Sequence, residues 1–431
     1  MLEQVLDLHI HSKYSRACSK KLILENIARA CSIRGIDIVA TGDFTHPAWF
    51  AMMKESLVED APGLYRLKDM APSTEHTRFL IGTEIASIRK HKGKTRRVHL
   101  LIFAPDMAAA ERFNTMLKQE GFNLTADGRP ILGRTCKEIL EMMLATDERM
   151  VMIPAHAWTP WFGIFGSKGG YDSLEEAFDE LRDYIFAIET GLSSDPLMNW
   201  RCSWLDSVCL ISNSDAHSCE KLGREANVFQ FDTREEITYE EVMRILRAQD
   251  QKKFLYTIEF YPEEGKYHLD GHRDCRFVCS PEDTKKYGGL CPTCKRPLVI
   301  GVLHRVVDLS DRSSAEAALC AKKNRRIPYK SIVPLPEVIA DAYGVGAGSK
   351  RVHAMYMALT SRVGSEFYVL LQAPLESIAK AADGVIADAI HRVRLGSVAI
   401  VPGYDGVFGT VSVFGDDAAQ HGSHQLGFDL D

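Results

Sequence analysis

His9, His11, His46, His99, His156 and His217 each fall at or just past the end of a short apolar run, and Asp7, Asp43, Glu84, Glu189 and Asp215 share that placement. In "LDLHIHS" (residues 6–12), Leu6, Leu8 and Ile10 alternate with Asp7, His9 and His11. That is the period of a half-buried strand, with one aliphatic face and one face of carboxylate and imidazole. A lone histidine on such a strand is ordinarily a core residue. Several with interleaved carboxylates would be costly to bury without a cation. Imidazole together with carboxylate suits zinc, manganese or iron. The donors exceed what one tetrahedral ion takes, which implies two or three ions. Paired divalent ions lower the pKa of a bound water and hold both the attacking and leaving oxygens of an in-line displacement. The expected chemistry is therefore metal-dependent hydrolysis by an activated hydroxide, with Asp215, Glu84 and His217 nearest the reaction and no protein nucleophile.

A second set of donors lies in "HLDGHRDCRFVCSPEDTKKYGGLCPTCKRPL". Cys291-x2-Cys294 is a knuckle with proline at the turn, preceded by Cys275 and Cys279. Two cysteine pairs so close together read as one structural zinc site. Its ligands are four of His272, Cys275, Cys279, Cys291 and Cys294. His272-x2-Cys275 has the commoner knuckle spacing, whereas Cys275-x3-Cys279 would complete four thiolates. The choice leans to His272, because an apolar filler also fits the Cys279 position in "FVCSP".

The elements that must position these residues follow from the pattern around them. At 431 residues the chain is too long for one ordinary core. With 45% hydrophobic and 26% charged residues it has a globular composition. Eleven cysteines argue for thiols and metal rather than disulfides. No apolar run reaches membrane-spanning length. No leader-like stretch precedes the first strand, so a cytoplasmic, nucleoid-associated location is expected. A net charge of −6 does not advertise a nucleic-acid binder. The basic clusters "RKHKGKTRR", "KKNRR" and "SKR" could be local contacts or merely solvated surface.

Up to about residue 230, apolar strands such as "IDIVATGDFTH", "MVMIPAHAW" and "VCLISNSDAH" alternate with helical stretches such as Leu24–Arg34 and Ser173–Leu181. This predicts an α/β parallel sheet or barrel whose C-terminal strand ends converge on one mouth. The segments around Pro72–Glu75 and Phe122–Leu132 are excursions from that frame. The expected division is 1–235, a barrel; 236–305, a connecting helix and strand with the zinc module; 306–415, a mainly helical region; and 416–431, a flexible tail.

These residues resemble the PHP family, named for polymerase and histidinol phosphatase. Its opening HxH is His9–Ile10–His11, its Gly-x-Glu is "GTE" ending at Glu84, its mid-chain histidines are His99 and His156, and its closing Asp-x-His is Asp215–Ala216–His217. The resemblance implies a distorted (β/α)7 barrel with a multinuclear centre. Glu84 would bridge ions, with His9, His11 and Asp215 on one and His99 and His156 on the next. Two departures stand out: Arg16 where an acid is common, and "TGDFTHP" where Thr-Asp-His is common. A third ion would then rely on Asp43, His46 or both.

Beyond the barrel, "KYHLDGHRDC", "GGLCPTC", "GVGAGSKRV" and "VPGYDGVFG" follow in an order that closely resembles the endonuclease Q family, over about residues 1–415. That resemblance implies a DNA repair enzyme cutting 5′ to hypoxanthine, uracil, xanthine or an abasic site. A deaminated base presents a carbonyl acceptor beside a ring N–H and would have to leave the stack to be read. Asn213, Ser193 and Glu189 are the expected base pocket, with Tyr14 as a stacking platform. Ser349, Lys350 and Arg351 are the expected grip on a DNA phosphate, though a plain helix connection also fits. Gln425, Leu426, Phe428 and Leu430 resemble peptides that dock on a replication sliding clamp. Two other readings stay open: a phosphatase for a small phosphomonoester, and a DNA-binding scaffold without catalysis.

Overall fold

In the computed structural model of the protein, residues 1–69 and 77–415 are described. The expected excursion at Pro72–Glu75 and the clamp-like residues Gln425, Leu426, Phe428 and Leu430 lie outside them. The strand Leu2–Asp7 runs antiparallel to Ala226–Phe231 and parallel to Ile38–Ala40. Val5 to Ser12 are buried without exception. The aliphatic side chains Leu6 and Leu8 enter a core with Ile38, Leu80, Leu101, Phe103, Ile153 and Ile211. The half-buried strand expected from the alternation is therefore buried on both faces, and the polar face holds the site described below.

The same sheet has eight strands. It continues through Arg78–Leu80, Leu64–Leu67 and Leu57–Ala61 on one side, and through Phe254–Glu259 and Tyr329–Ser331 on the other. It therefore crosses residue 235, where a boundary is expected. A four-stranded sheet joins Ile131–Leu132, Gly82–His91, Lys94–Phe103 and Val151–Pro154, and Ala187–Glu189 pairs in parallel with Cys209–Ile211. Hydrogen bonds link these pieces, among them Ala104 N–H to the Ile81 carbonyl at 3.0 Å, Ala157 N–H to the Glu189 carbonyl at 2.9 Å, and Ser212 N–H to Asn227 Oδ1 at 3.0 Å.

Strand directions are mixed, where the β/α alternation predicts a parallel set. The cause is local. Gly82–His91 and Lys94–Phe103 form a hairpin of two ten-residue strands closed by Lys92 (φ 48°) and Gly93 (φ 81°). Two successive left-handed residues match the twist of the flanking strands and force antiparallel pairing.

The helix Leu24–Arg34 buries Leu24, Ile27, Ala28 and Cys31 and ends at Gly35, whose φ of 85° suits glycine. A Cβ there would lie 2.4 Å from Ser365 Oγ. Beside it Arg34 donates to Glu366 at 2.7 Å in a buried pair. The first helix is thereby docked on the C-terminal helical region, which comprises Leu335–Tyr343, Lys350–Arg362, Glu366–Leu371, Leu375–Ala381 and Gly384–Arg394. Leu359, Val369, Leu370, Ile386 and Ile390 are fully buried there, and each contributes about 1.5–3 kcal/mol of hydrophobic stabilisation. The expected strand pair follows as Ala399–Val401 and Thr410–Ser412, antiparallel. Among the described residues, no helix is long and apolar enough to cross a membrane.

Candidate metal centre

Two residues past the end of Leu2–Asp7, His9 turns back into the protein. Its Nδ1 meets Glu189, the last residue of Ala187–Glu189, at 3.0 Å. Its Nε2 is buried and has no hydrogen-bond partner. A histidine whose one nitrogen is fixed by a carboxylate, with the other bare and inward, has the arrangement of a metal ligand. In His11, Nδ1 is likewise held by Asp43 at 3.1 Å, while Nε2 meets Asp215 Oδ1 at 3.2 Å. Asp43 is itself fixed by the Ser12 N–H and hydroxyl, both at 2.7 Å, and by the Ser15 hydroxyl at 2.9 Å.

Three overlapping groups of donor atoms result: His9, His11 and Glu84; His11, Asp215 and His217; and Glu84, His99 and His156. Within each group the atoms lie within 4.8 Å of one another, close enough to hold a metal ion. Glu84 Oε1 lies 2.8 Å from His99 Nδ1 and 3.1 Å from His156 Nε2, while Oε2 faces His11 Nε2 at 3.4 Å. His11 and Glu84 are each shared between two groups. Asp43, His156 and Asp215 have positive φ values of 49°, 30° and 46°. Backbone strain of this kind at non-glycine residues persists only where the surroundings enforce it.

The charges are mutually adjusted. Burial favours neutral imidazole at His9 and His11, but the facing carboxylates outweigh it and raise both well above the usual histidine range. Burial would raise Glu84 and Asp215, yet His99, Arg129 and His9 hold Glu84 far below the usual carboxylate value, and His9 and His11 do the same for Asp215. His99 is pushed down to about 4, chiefly by burial. His217 is lowered by burial as well. Ionised carboxylates facing imidazoles with bare nitrogens are a donor set that fits divalent cations.

The sequence-expected residues divide into those gathered here and those placed elsewhere. Glu84 and His99 are inside the long hairpin, not past strand ends, and pairing of Ala86 with His99 and Glu84 with Leu101 brings them to one face. Asp43 supports His11 from behind. His46 stacks on Tyr14 with ring centroids 4.3 Å apart and belongs to none of the three groups. Glu189 and Asn213 differ most from the base-pocket expectation. Glu189 accepts from His156 N–H at 2.7 Å and Asn213 Nδ2 at 2.8 Å, and Asn213 Oδ1 accepts from Leu8 N–H at 2.8 Å. Both are fully buried and spend their polar atoms on holding the histidine segments. Ser193 is half-buried, 3.4 Å from the Thr159 hydroxyl.

In the zinc module, His272, Cys275, Cys291 and Cys294 come together. Cys279 Sγ instead meets the Thr284 hydroxyl at 3.2 Å. Ser349 caps Lys350–Arg362, accepting from Val352 N–H at 3.3 Å, and Arg351 lies 3.8 Å from the Tyr343 ring centre. Lys350 and Arg351 are exposed. One residue at the centre escaped sequence reasoning: Arg129, in the Phe122–Leu132 excursion, donates to Glu84 Oε2 at 2.9 Å. The "DGRP" around it signals only a turn.

Known proteins share this architecture. The crystal structure of the lesion-specific endonuclease PfuEndoQ from Pyrococcus furiosus superposes with a TM-score of 0.83 at 30% identity, covering 97% of each chain. Endonuclease Q in complex with a 27-mer duplex carrying an abasic lesion at the active site gives 0.81 at 31% identity, covering 99% of this chain and all of that one. The chain belongs to the endonuclease Q family. Residues 334–397 also match the family described as the MJ0043 C-terminal domain. Protein MJ0043 of Methanocaldococcus jannaschii is 32% identical over 259 residues, which are 60% of this chain but 31% of that one, so the likeness spans about a third of its length. Protein YqxK of Bacillus subtilis is 27% identical over 417 residues, 94% of this chain and 98% of that one.

Proposed function

We propose that this protein is a metal-dependent DNA repair endonuclease that hydrolyses the phosphodiester 5′ to a deaminated base (hypoxanthine, uracil or xanthine) or an abasic site. The observation that carries the reading is the near-full-length likeness to two endonuclease Q structures, one of them holding an abasic duplex. The three donor groups supply the chemistry that activity requires. We read the three linked sheets as a distorted (β/α)7 PHP barrel, followed by the zinc module and the helical region, which is proposed to contact DNA through Ser349, Lys350 and Arg351.

In this reading His9, His11, Glu84, His99, His156, Asp215 and His217 hold two or three ions of zinc, manganese or magnesium. His272, Cys275, Cys291 and Cys294 hold one structural zinc. Bound ions of this kind lower the pKa of coordinated water and carry charge on the attacking and leaving oxygens. Glu189 and Asp43 hold the Nδ1 side of His9 and His11 and so orient Nε2 toward the other donors. Asp215 and Glu84 stay ionised at neutral pH because imidazoles face them. Asp43 and His46 are the remaining candidates for a third ion. Tyr14 and Ser193 stay in the proposed base pocket. A sliding clamp is proposed as a second partner from the spacing of Gln425, Leu426, Phe428 and Leu430; undiminished clamp binding after removal of Gln425–Asp431 would overturn that.

One assay separates the readings. The protein with Mg²⁺ or Mn²⁺ is incubated with duplexes carrying a single uracil, hypoxanthine, abasic site or normal base, and separately with a small phosphate ester. A nick 5′ to the lesion is the expected result. Release of inorganic phosphate alone would favour a phosphatase, and binding without cleavage a scaffold.

A further inference from the structure

The excursion carrying Arg129 is pinned to the site from several sides. Gly128 N–H donates to the Tyr14 carbonyl at 3.1 Å, and the Thr45 hydroxyl donates to the Gly128 carbonyl at 3.3 Å. Asp127 accepts from Arg16 N–H at 3.1 Å. Past the turn, Ala86 N–H donates to the Pro130 carbonyl at 3.0 Å, and Ile131 pairs with Ala86 beside Glu84. Gly128 lies so close to the centre that a Cβ would meet Asp43 Oδ2 and Ser15 Oγ, each at 2.4 Å. Backbone this near a buried carboxylate is possible only for glycine.

This anchoring delivers the next side chain, Arg129, to the rim. Its Nη1 reaches Glu84 Oε2 at 2.9 Å, and its side chain keeps 23% of its surface exposed. That bond is the one hydrogen bond its guanidinium makes among the described residues. A guanidinium has five donors in a planar fork, so most of its capacity is unpaired among the described residues. An arginine side chain stays protonated in proteins. A permanent cation beside shared donor groups, partly exposed and with most of its fork unpaired, suits the geometry by which arginine takes a phosphate in two parallel hydrogen bonds.

We infer that Arg129 contacts a non-bridging oxygen of the scissile phosphate, carried into place by the 122–132 segment. The inference rests on the endonuclease reading. Were Glu84 to hold cations, they would compete with Arg129 for that carboxylate, and the phosphate would be the anion then within reach of the guanidinium. The contact stabilises the added charge as the phosphorus becomes five-coordinate, so it counts in the rate and not only in binding.

The test compares wild type, Arg129→Met and Arg129→Lys on an abasic duplex under single-turnover conditions, with the ion content of each protein measured alongside. A binding assay then uses the same duplex with the phosphate 5′ to the lesion replaced by a neutral methylphosphonate. Arg129→Met is expected to retain the wild-type ion content and to lose about 100-fold in cleavage rate. Arg129→Lys should recover only part, since an ammonium keeps the charge without the fork. The methylphosphonate should weaken wild-type binding more than it weakens Arg129→Met binding. Cleavage by Arg129→Met within about threefold of wild type, ion loss in step with its activity, or an equal methylphosphonate penalty in both proteins would each overturn the inference alone. Wild-type protein that cuts no lesion-bearing duplex would instead overturn the endonuclease reading, and the inference with it.

Discussion

His9 gives one nitrogen to Glu189 and turns the other, bare, toward Glu84 and Asp215, while His272 faces Cys294 Sγ at 3.6 Å and makes no hydrogen bond to a carboxylate among the described residues. The two donor clusters differ in the same way throughout. At the rim, His11 and Glu84 are each shared between groups, and the donors come from segments more than two hundred residues apart. In the zinc module four donors within 23 residues form one group, each used once. A closed tetrahedral set leaves no position for substrate, whereas shared donors leave open positions, and the carboxylates behind His9 and His11 fix the orientation of those two rings. Both contain histidine, but on the proposed reading only the rim takes part in turnover.

Substitutions can break this contrast. The largest effect is expected for Asp215→Ala, which removes a carboxylate from the rim: cleavage should fall by roughly 10³-fold or more, with the melting curve little changed. Near-normal cleavage by that variant would remove the rim from the chemistry. Cys291→Ser should act in the opposite sense, releasing zinc and costing on the order of 3 kcal/mol of stability. Its cleavage rate at low temperature should stay close to wild type; a rate loss without loss of stability would show that the module is not merely structural.

Smaller effects sharpen the comparison. Glu189→Gln leaves the rim donors intact but loosens His9, and should cost about 10–100-fold in ion affinity or activity, recoverable with excess manganese. Activity independent of Glu189 would mean that the orientation of His9 does not matter. Behind the rim, Glu225 lies next to the register pair Ala226–Ile258, opposite Glu259, and both carboxylates are buried. Where carboxylates face imidazoles they are held ionised. Here burial comes first and neighbouring carboxylates add to it, so Glu225 is raised and Glu259 goes from 4.5 to about 8. The folded state then holds more protons than the unfolded one across that window, so stability should fall as pH rises through it, by up to roughly 1.4 kcal/mol per unit. Glu259→Gln should flatten the slope in denaturant titrations at several pH values; an unchanged slope would refute the assignment. The least effect is expected for Cys279→Ser, whose zinc content should equal wild type because Cys279 faces Thr284.

What was legible in the sequence was whatever lies close together along it. The knuckle spacing, "HIH" and "DAH" name their donors directly, and the helix Leu24–Arg34 has the expected bounds. Glu84 and His99 were legible as donors but not in their setting, because the Lys92–Gly93 turn that pairs their strands reads as part of a basic cluster. Glu189 and Asn213 were picked out for a pocket, since nothing local reveals that their partners are Leu8, His9 and His156. Arg129 was missed for the same reason: its importance comes from Gly128 meeting Asp43, 85 residues away in sequence. Long-range pairing also carries the large sheet past residue 235, where composition alone suggests a boundary.

The most direct test of the rim as a cation centre is elemental analysis of the purified chain after equilibration with manganese, alongside the Asp215→Ala variant. The account expects one zinc per chain in both, at least two further divalent ions in the wild type, and fewer in the variant. A single zinc per wild-type chain, with nothing else bound, would contradict it.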